Sequence, residues 1–324
     1  MSERPRIAVT RAIPAPALDL LRAAGDVWIS DLDRPLTEPE LHSAVSGADA
    51  VVSMLHDRVD TAVLDAAGPS LRIVANVAVG YDNIDVAALA SHDVTLTNTP
   101  GVLTDATADL ALGLMLMLTR RLGEGERLLR ARQPWSFHLG FMLGAGLRGK
   151  VLGIVGLGQI GQAVARRAAP FGLRIVYTGR RRAAADLEAE LGATHVSMPE
   201  LLETADIVSL HCPLTPQTHH LIDAAALKAM KATAYLVNTT RGPVVDESAL
   251  ADALADGSIA GAALDVFERE PDVEPRLLEA DNAVVTPHLG SATVETRTEM
   301  AVLAARNVVA VLSGEPPLTP VAAR

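Results

Sequence analysis

The 324-residue chain has one cysteine, Cys212, only three lysines among its 28 basic residues, and no apolar run of membrane-spanning length. A lone cysteine excludes an intrachain disulfide and points to a reducing compartment. The most apolar helical stretch, Leu110–Thr119, falls far short of the roughly 20 residues that cross a bilayer. Met1–Thr10 carries Glu3, Arg4 and Arg6 and lacks the apolar segment of a signal peptide. A soluble, cytoplasmic protein is expected. Positive charge is in deficit as well: 28 basic against 39 acidic residues give a net −11, a balance that disfavours general binding to nucleic acid or an anionic membrane. The excess of arginine over lysine is a compositional bias and not a binding signature. Low-complexity tracts and short repeats are lacking too. What is present is globular, with 49% hydrophobic and 21% charged residues. The length exceeds what one core usually supports, which predicts two domains.

Short β-branched runs (Ile7–Val9, Ala50–Met54, Arg72–Val77, Val94–Thr97) alternate with Ala/Leu-rich helical patterns (Ala15–Ala24, Pro39–Val45, Thr61–Ala67). Such alternation predicts a parallel sheet covered by helices. The breaker Asn98-Thr99-Pro100-Gly101 ends this first unit. A helix is expected from Leu103 or Thr104 to Arg120. It is apolar on most sides, which fits burial in a core or in a subunit interface equally well. Gly123–Lys150 is looser, with Pro134, Trp135, Phe137, Phe141 and four glycines from Gly140 to Gly149. The α/β alternation then restarts.

The strand candidate Val151–Val155 runs into Gly156-Leu157-Gly158-Gln159-Ile160-Gly161, and a helical pattern follows to about Pro170. G-x-G-x-x-G between a strand and a helix is the dinucleotide fingerprint. Its glycines permit a tight turn, close approach of backbone to a pyrophosphate, and close helix–strand packing at a helix N-terminus that favours anions. The next strand, Leu173–Thr178, would end beside the adenosine ribose. An NAD site usually places a carboxylate there, whereas this chain has Gly179-Arg180-Arg181-Arg182. Guanidinium groups suit a 2′-phosphate; the plainer alternative is a solvated cluster capping the next helix. The position favours the phosphate, hence NADPH in preference to NADH, with NAD still usable.

Four further strands are expected at Ile207–His211, Ala234–Asn238, Gly261–Val266 and Ala283–Thr286. In open α/β sheets ligands bind outside the carboxyl ends of strands. Polar residues there converge on one crevice, and position alone nominates Arg241, Asp265 and His288.

With these motifs in place, the sequence resembles the D-isomer-specific 2-hydroxyacid dehydrogenases. The resemblance rests on Gly156–Gly161, Asn238-Thr239-Thr240-Arg241-Gly242, Leu264-Asp265-Val266-Phe267 with Glu270-Pro271, and Thr286-Pro287-His288-Leu289-Gly290-Ser291-Ala292-Thr293. Val79-Gly80-Tyr81-Asp82-Asn83-Ile84-Asp85 and Asn98–Gly101 match as well, so it covers essentially the whole chain. Val102–Leu110 and Thr178-Gly179-Arg180 make it most similar to the glyoxylate/hydroxypyruvate reductases. The resemblance implies an α/β fold of two doubly wound parallel-sheet domains, a Rossmann nucleotide domain (100–289) inserted in a flavodoxin-like substrate domain (1–99 and 290–324). It also implies an active site in the cleft, and a homodimer formed through the nucleotide domain.

The implied catalytic residues are Arg241, Glu270 and His288, and each suits its step. Reduction of a 2-oxo acid needs a hydride at C2 and a proton at the carbonyl oxygen. His288 would donate the proton. Glu270 would bond the other ring nitrogen, fix the tautomer and favour the protonated ring. Arg241 would pair with the substrate carboxylate and polarise the carbonyl. Leu55, Val79, Gly80 and Ser291 are the implied substrate contacts. Thr107, the Gly156–Gly161 loop, Gly179, Arg180, Arg181, Arg182, Cys212, Pro213, Thr218, Thr239, Thr240, Asp265 and Gly290 are the implied cofactor contacts. Trp135 or Phe137 of a neighbouring subunit would close the pocket, or both would simply pack the dimer arm. His211, His219 and His220 read as supporting or surface residues, and Cys212 as packing. No metal is expected, since no His/Cys/Asp grouping has ligand spacing and hydride transfer needs none. Two rivals share the fold. A dinucleotide-sensing corepressor is expected to carry a long disordered tail. A phosphoglycerate dehydrogenase needs a phosphate-recognising substrate site and often an added regulatory domain. The residues favour the reductase over both.

Overall fold

The computed structural model describes residues 4–322. They form two compact units. One comprises the chain through Leu103 and again from Ala292 onward; the other is Thr104–Ser291.

The first unit is built on strands β1 (Arg6–Val9), β2 (Asp26–Ile29), β3 (Ala50–Ser53), β4 (Ile73–Asn76) and β5 (Thr95–Thr97). All pairs are parallel, in the order β2-β1-β3-β4-β5, the flavodoxin-like arrangement. Parallel strands covered on both faces read as continuous apolar runs, and β3 and β4 are buried at every residue. The two faces follow from the period of two. Ile7 and Val9 pack with Ala17 and Leu21 of the helix Ala15–Ala24 and with Ala301, Ala304 and Val308 of the helix Val294–Leu312. Ala8, between them, faces Leu41, Val45, Val63 and Leu64. Each fully buried Ile or Leu contributes about 1.5–3 kcal/mol. Beyond the last helix, Pro320 bridges Thr97 and Val321 N–H donates to the Leu96 carbonyl (2.9 Å), so the returning chain covers the β5 edge. Strand β2 lies outside the sequence-based assignment; Asp26-Val27-Trp28-Ile29 alternates between exposed and half-buried positions at a sheet edge, and its apolar run is only three residues long.

The second unit contains β6 (Val151–Val155), β7 (Arg174–Thr178), β8 (Ala193–His195), β9 (Ile207–Leu210), β10 (Tyr235–Asn238), β11 (Gly261–Leu264) and β12 (Ala283–Val285). The sheet is parallel, ordered β12-β11-β10-β9-β6-β7-β8. This is the dinucleotide-binding order, with the switch point between β6 and β9. The helix Thr104–Thr119 packs on it through Ala108, Ala111, Leu114, Met115 and Leu118, alongside Leu152, Ile154 and Val164. Its most apolar face is therefore core, while Leu110, Leu112 and Leu116 are half-buried. The loose segment contains an unanticipated helix, Leu122–Arg130, despite two glycines. Ion pairs Arg121–Glu124 and Arg130–Glu126 support it, and it buries no residue.

The boundaries fall a few residues beyond the Asn98–Gly101 breaker and Gly290 for identifiable reasons. Thr99 N–H bonds the Ala78 carbonyl (2.9 Å), which keeps the breaker with the first unit. Gly290 is held by Thr107 and Asp265, which keeps it with the second.

Candidate active site

The carboxyl ends of β6 to β12 carry almost every nominated residue. After β6, Gly156 turns at φ +99°, and a Cβ at Gly161 would lie 2.2 Å from the Gly156 carbonyl oxygen. Both positions therefore exclude a side chain. Gly158 is different: a Cβ there would meet nothing within 4 Å. It precedes the helix Gln159–Ala168 without any side-chain cap, so its N-terminal N–H groups face open space suited to a pyrophosphate. Thr239, at the end of β10, has a buried hydroxyl with no partner among the described residues. An uncapped helix start, open space at Gly158 and an orphaned hydroxyl together fit a dinucleotide.

After β7, the three arginines separate. Arg180 and Arg181 are exposed and make no hydrogen bond or ion pair with the described residues. Arg182 is engaged twice by Glu188, at 2.9 and 2.8 Å. After β9, desolvation pushes His211 down to about 4, and its Nε2 lies 2.8 Å from Ser209 Oγ. Burial pushes the Cys212 thiol up to about 11, so it is an inert packing group. Its carbonyl accepts from the Thr240 hydroxyl. Thr218 Oγ1 donates to the Pro213 carbonyl (2.7 Å) and accepts from Thr215 N–H (2.8 Å), and so shapes the 213–218 turn.

Arg241 sits where two loops nearly touch. A Cβ on Gly242 would lie 1.8 Å from the Phe267 carbonyl carbon, so only glycine lets the loop after β10 close on the loop after β11. Asn238 Nδ2 holds the Arg241 carbonyl at 2.9 Å. In the facing loop, Glu270 Oε1 accepts from Phe267 N–H (3.0 Å), and Oε2 lies 2.9 Å from His288 Nδ1. Glu270 thus holds the Nδ1 side of the ring and leaves Nε2 for a substrate. His288 adopts φ +52°, a left-handed conformation uncommon outside glycine. The carboxylate of Asp265 stabilises that turn. It accepts from Leu289 N–H, Gly290 N–H and Thr286 Oγ1, each at 2.7 Å, while the Asp265 carbonyl accepts from His288 N–H (2.9 Å). Burial pushes this carboxyl up, opposed by those hydrogen bonds. Asp265 therefore has a positioning role beyond the cofactor contact expected from its place in the sequence. Thr107 donates to the Gly290 carbonyl at 3.0 Å, and Ser291 follows.

Leu55, Val79 and Gly80 lie in the first unit, in loops after β3 and β4. These loops are held by side chains that motif reading passed over. Asn83 Nδ2 donates to the carbonyls of Met54 (3.2 Å) and Asp57 (2.8 Å). Asn76 Nδ2 holds the Gly80 carbonyl (3.0 Å), and Asn98 Nδ2 the Val79 carbonyl (2.9 Å). Asp57, buried and pushed up by that burial, accepts from Met54 N–H and the Thr10 hydroxyl. A side chain that restrains a backbone carbonyl has no spacing signature; Asn83 and Asn98 lie inside recognised motifs, whereas Asn76 and Asp57 lie outside them. Among the described residues, no group of three His, Cys, Asp or Glu side chains is placed to hold a metal ion, and no helix is long and apolar enough to cross a membrane.

A parallel nucleotide-binding sheet whose strand ends carry a carboxylate-held imidazole and an arginine defines a dinucleotide-dependent oxidoreductase. The family model for the D-isomer specific 2-hydroxyacid dehydrogenase NAD-binding domain matches residues 112–290. The glyoxylate reductase of Thermococcus kodakarensis is 47% identical over 320 residues, covering 98% of this chain and 96% of its own. That of Pyrococcus furiosus is 46% identical, covering 98% and 95%. Among solved structures, the NADPH-dependent glyoxylate/hydroxypyruvate reductase of Sinorhizobium meliloti, in complex with NADP and malonate, is 36% identical. It superposes with a TM-score of 0.86, covering 99% of this chain and 97% of its own. The chain belongs to the D-isomer specific 2-hydroxyacid dehydrogenase family and is an NAD(P)-dependent dehydrogenase.

Proposed function

We propose that the protein reduces small 2-oxo acids, glyoxylate and hydroxypyruvate among them, to D-2-hydroxy acids with NADPH. The observation that carries this reading is the Glu270–His288 pair, 2.9 Å apart and itself anchored by Phe267 N–H, on the same sheet as the dinucleotide loop. The nicotinamide, when bound, supplies the hydride to C2. His288 Nε2 gives its proton to the carbonyl oxygen, and Glu270 holds Nδ1 in the matching tautomer throughout. Arg241 pairs with the substrate carboxylate and draws charge from the carbonyl. The N–H groups of Val79 and Gly80 receive the same carboxylate, with Leu55 and Ser291 lining the pocket. Gly156–Gly161 and Thr239 receive the dinucleotide. Arg180 and Arg181 receive its 2′-phosphate, and Thr240, Cys212 and Pro213 line its nicotinamide end.

The working form is a homodimer in a reducing, cytoplasmic setting. Supporting the dimer, Leu129, Trp135, Phe137, Leu139 and Leu143 are exposed along 122–143, Phe137 to 80% and Leu139 to 89%, an apolar stretch that a second copy would cover. Glyoxylate, hydroxypyruvate and a branched 2-oxo acid assayed with NADPH and with NADH test the function. NADPH is expected to exceed NADH by about tenfold or more in kcat/KM, with the two small acids preferred. Equal use of NADH removes the cofactor assignment, and absence of turnover on all three acids removes the activity.

A further inference from the structure

The segment after β7 contains a hydrogen-bonded relay that the catalytic reading does not use. The ring of Tyr177 is 1% exposed and meets His195 edge-on, with centroids 5.1 Å apart. Its hydroxyl is therefore fixed in place. That hydroxyl donates to Glu188 Oε1 (2.7 Å) and accepts from Ala183 N–H (2.7 Å). Glu188, in the helix Ala185–Leu191, receives both Nε and Nη2 of Arg182. The Arg182 guanidinium holds the Glu188 carboxyl down to about 2, so the acceptor is ionised throughout the working range. One phenol thus ties the backbone at Ala183 to the carboxylate that neutralises Arg182. Gly179–Arg182 is pinned between Thr178 in the strand and Ala183, while Arg180 and Arg181 keep uncompensated charge.

We propose that Tyr177, Glu188 and Arg182 form a positioning device for dinucleotide choice, which fixes the Gly179–Ala183 loop so that Arg180 and Arg181 meet the 2′-phosphate. This rests on the NADPH reading above and narrows it. Arg182 acts through Glu188 and is not itself a phosphate ligand. The charges agree: a phosphate monoester carries about −1.5 to −2, which two guanidinium groups balance, and the third arginine is already matched by its carboxylate. Such a device discriminates because NADH has no 2′-phosphate for Arg180 and Arg181 to hold.

The test compares Tyr177→Phe, Arg182→Gln, their double variant, and Arg180→Ala/Arg181→Ala, each assayed with NADPH and NADH on glyoxylate. Tyr177→Phe keeps the ring and removes both hydrogen bonds. It is expected to raise KM for NADPH about five- to tenfold while KM for NADH and both kcat values stay within about twofold. Arg182→Gln is expected to raise KM for NADPH similarly, and the double variant to be no worse than the poorer single, because both act through one loop. KM values for both cofactors rising together in Tyr177→Phe would show general loosening and overturn the proposal. Full additivity would make Arg182 a direct ligand and overturn it as well. If Arg180→Ala/Arg181→Ala leaves NADPH unaffected, the NADPH reading itself falls and takes this device with it. If that variant weakens NADPH and Tyr177→Phe does not, only the device falls.

Discussion

Both units are doubly wound parallel sheets, yet their strand ends are furnished differently. In the second unit the strands end in groups that can react or carry charge: Arg180 and Arg181 after β7, Arg241 after β10, Asp265 after β11 and His288 after β12. In the first unit the loops after β3 and β4 end in backbone held by amides, with Asn76, Asn83 and Asn98 each gripping a carbonyl. Carbonyls pulled inward turn the partnering N–H groups outward, which suits recognition of an anion by dipoles. The same architecture thus presents side-chain chemistry from one sheet and a preorganised backbone surface from the other.

The sharpest way to break that contrast is to remove the proposed proton donor. His288→Ala is expected to reduce kcat by about 10²- to 10⁴-fold, with nucleotide binding retained. Glu270→Gln should be milder, because the neutral amide still contacts Nδ1 without its charge. If His288→Ala keeps more than a tenth of the wild-type kcat in steady-state assays, the second unit's strand ends are recognition elements only.

The complementary variant lies in the first unit. Asn83→Ala frees the Met54 and Asp57 carbonyls together. KM for the 2-oxo acid should rise roughly tenfold, in line with two lost hydrogen bonds of about 0.5–1.5 kcal/mol each. KM for the cofactor should not move and kcat should change little. Fluorescence titration of NADPH alongside the kinetics separates the cases; an equal loss of cofactor affinity would show that the substitution disturbs more than the loops after β3 and β4.

How legible this was depends on what kind of signal each residue leaves. Gly156–Gly161 stands out because a strand, a tight turn and a helix each impose a residue type, and Arg241, Asp265 and His288 stand out because strand ends converge, whereas Glu270 is nominated only by the family resemblance. The short edge strands β2 and β8 escape because Ala193–His195 has no apolar run and Val27–Ile29 is a run of only three residues directly after a helix and Gly25. The helix Leu122–Arg130 escaped because its support is ion pairing, which glycine content masks. Tyr177 lies within the expected strand Leu173–Thr178, where nothing local singles it out. That its hydroxyl joins Ala183 to Glu188 depends on a tertiary turn that no local pattern specifies.

The smallest expected effect tests a strand end that holds a titratable group without chemistry. His211 follows β9, yet desolvation holds it at about 4, compared with an ordinary 6.5, so it is neutral in the working enzyme. The sign follows from proton counting. Between about 6.5 and 4 the unfolded chain binds a proton at this position that the folded chain refuses, so stability falls as pH falls through that window and is flat above it. At about pH 5 the loss is roughly 2 kcal/mol relative to about pH 8. His211→Gln has no such proton to bind. Melting temperatures of wild type and variant at the two pH values isolate the effect, because the other titrations are common to both proteins and cancel in the double difference. The wild type should drop several degrees more than the variant on acidification. Equal drops would mean that His211 accepts its proton in the folded state, and a charged imidazole at the end of β9 would then join the second unit's strand ends that can react or carry charge.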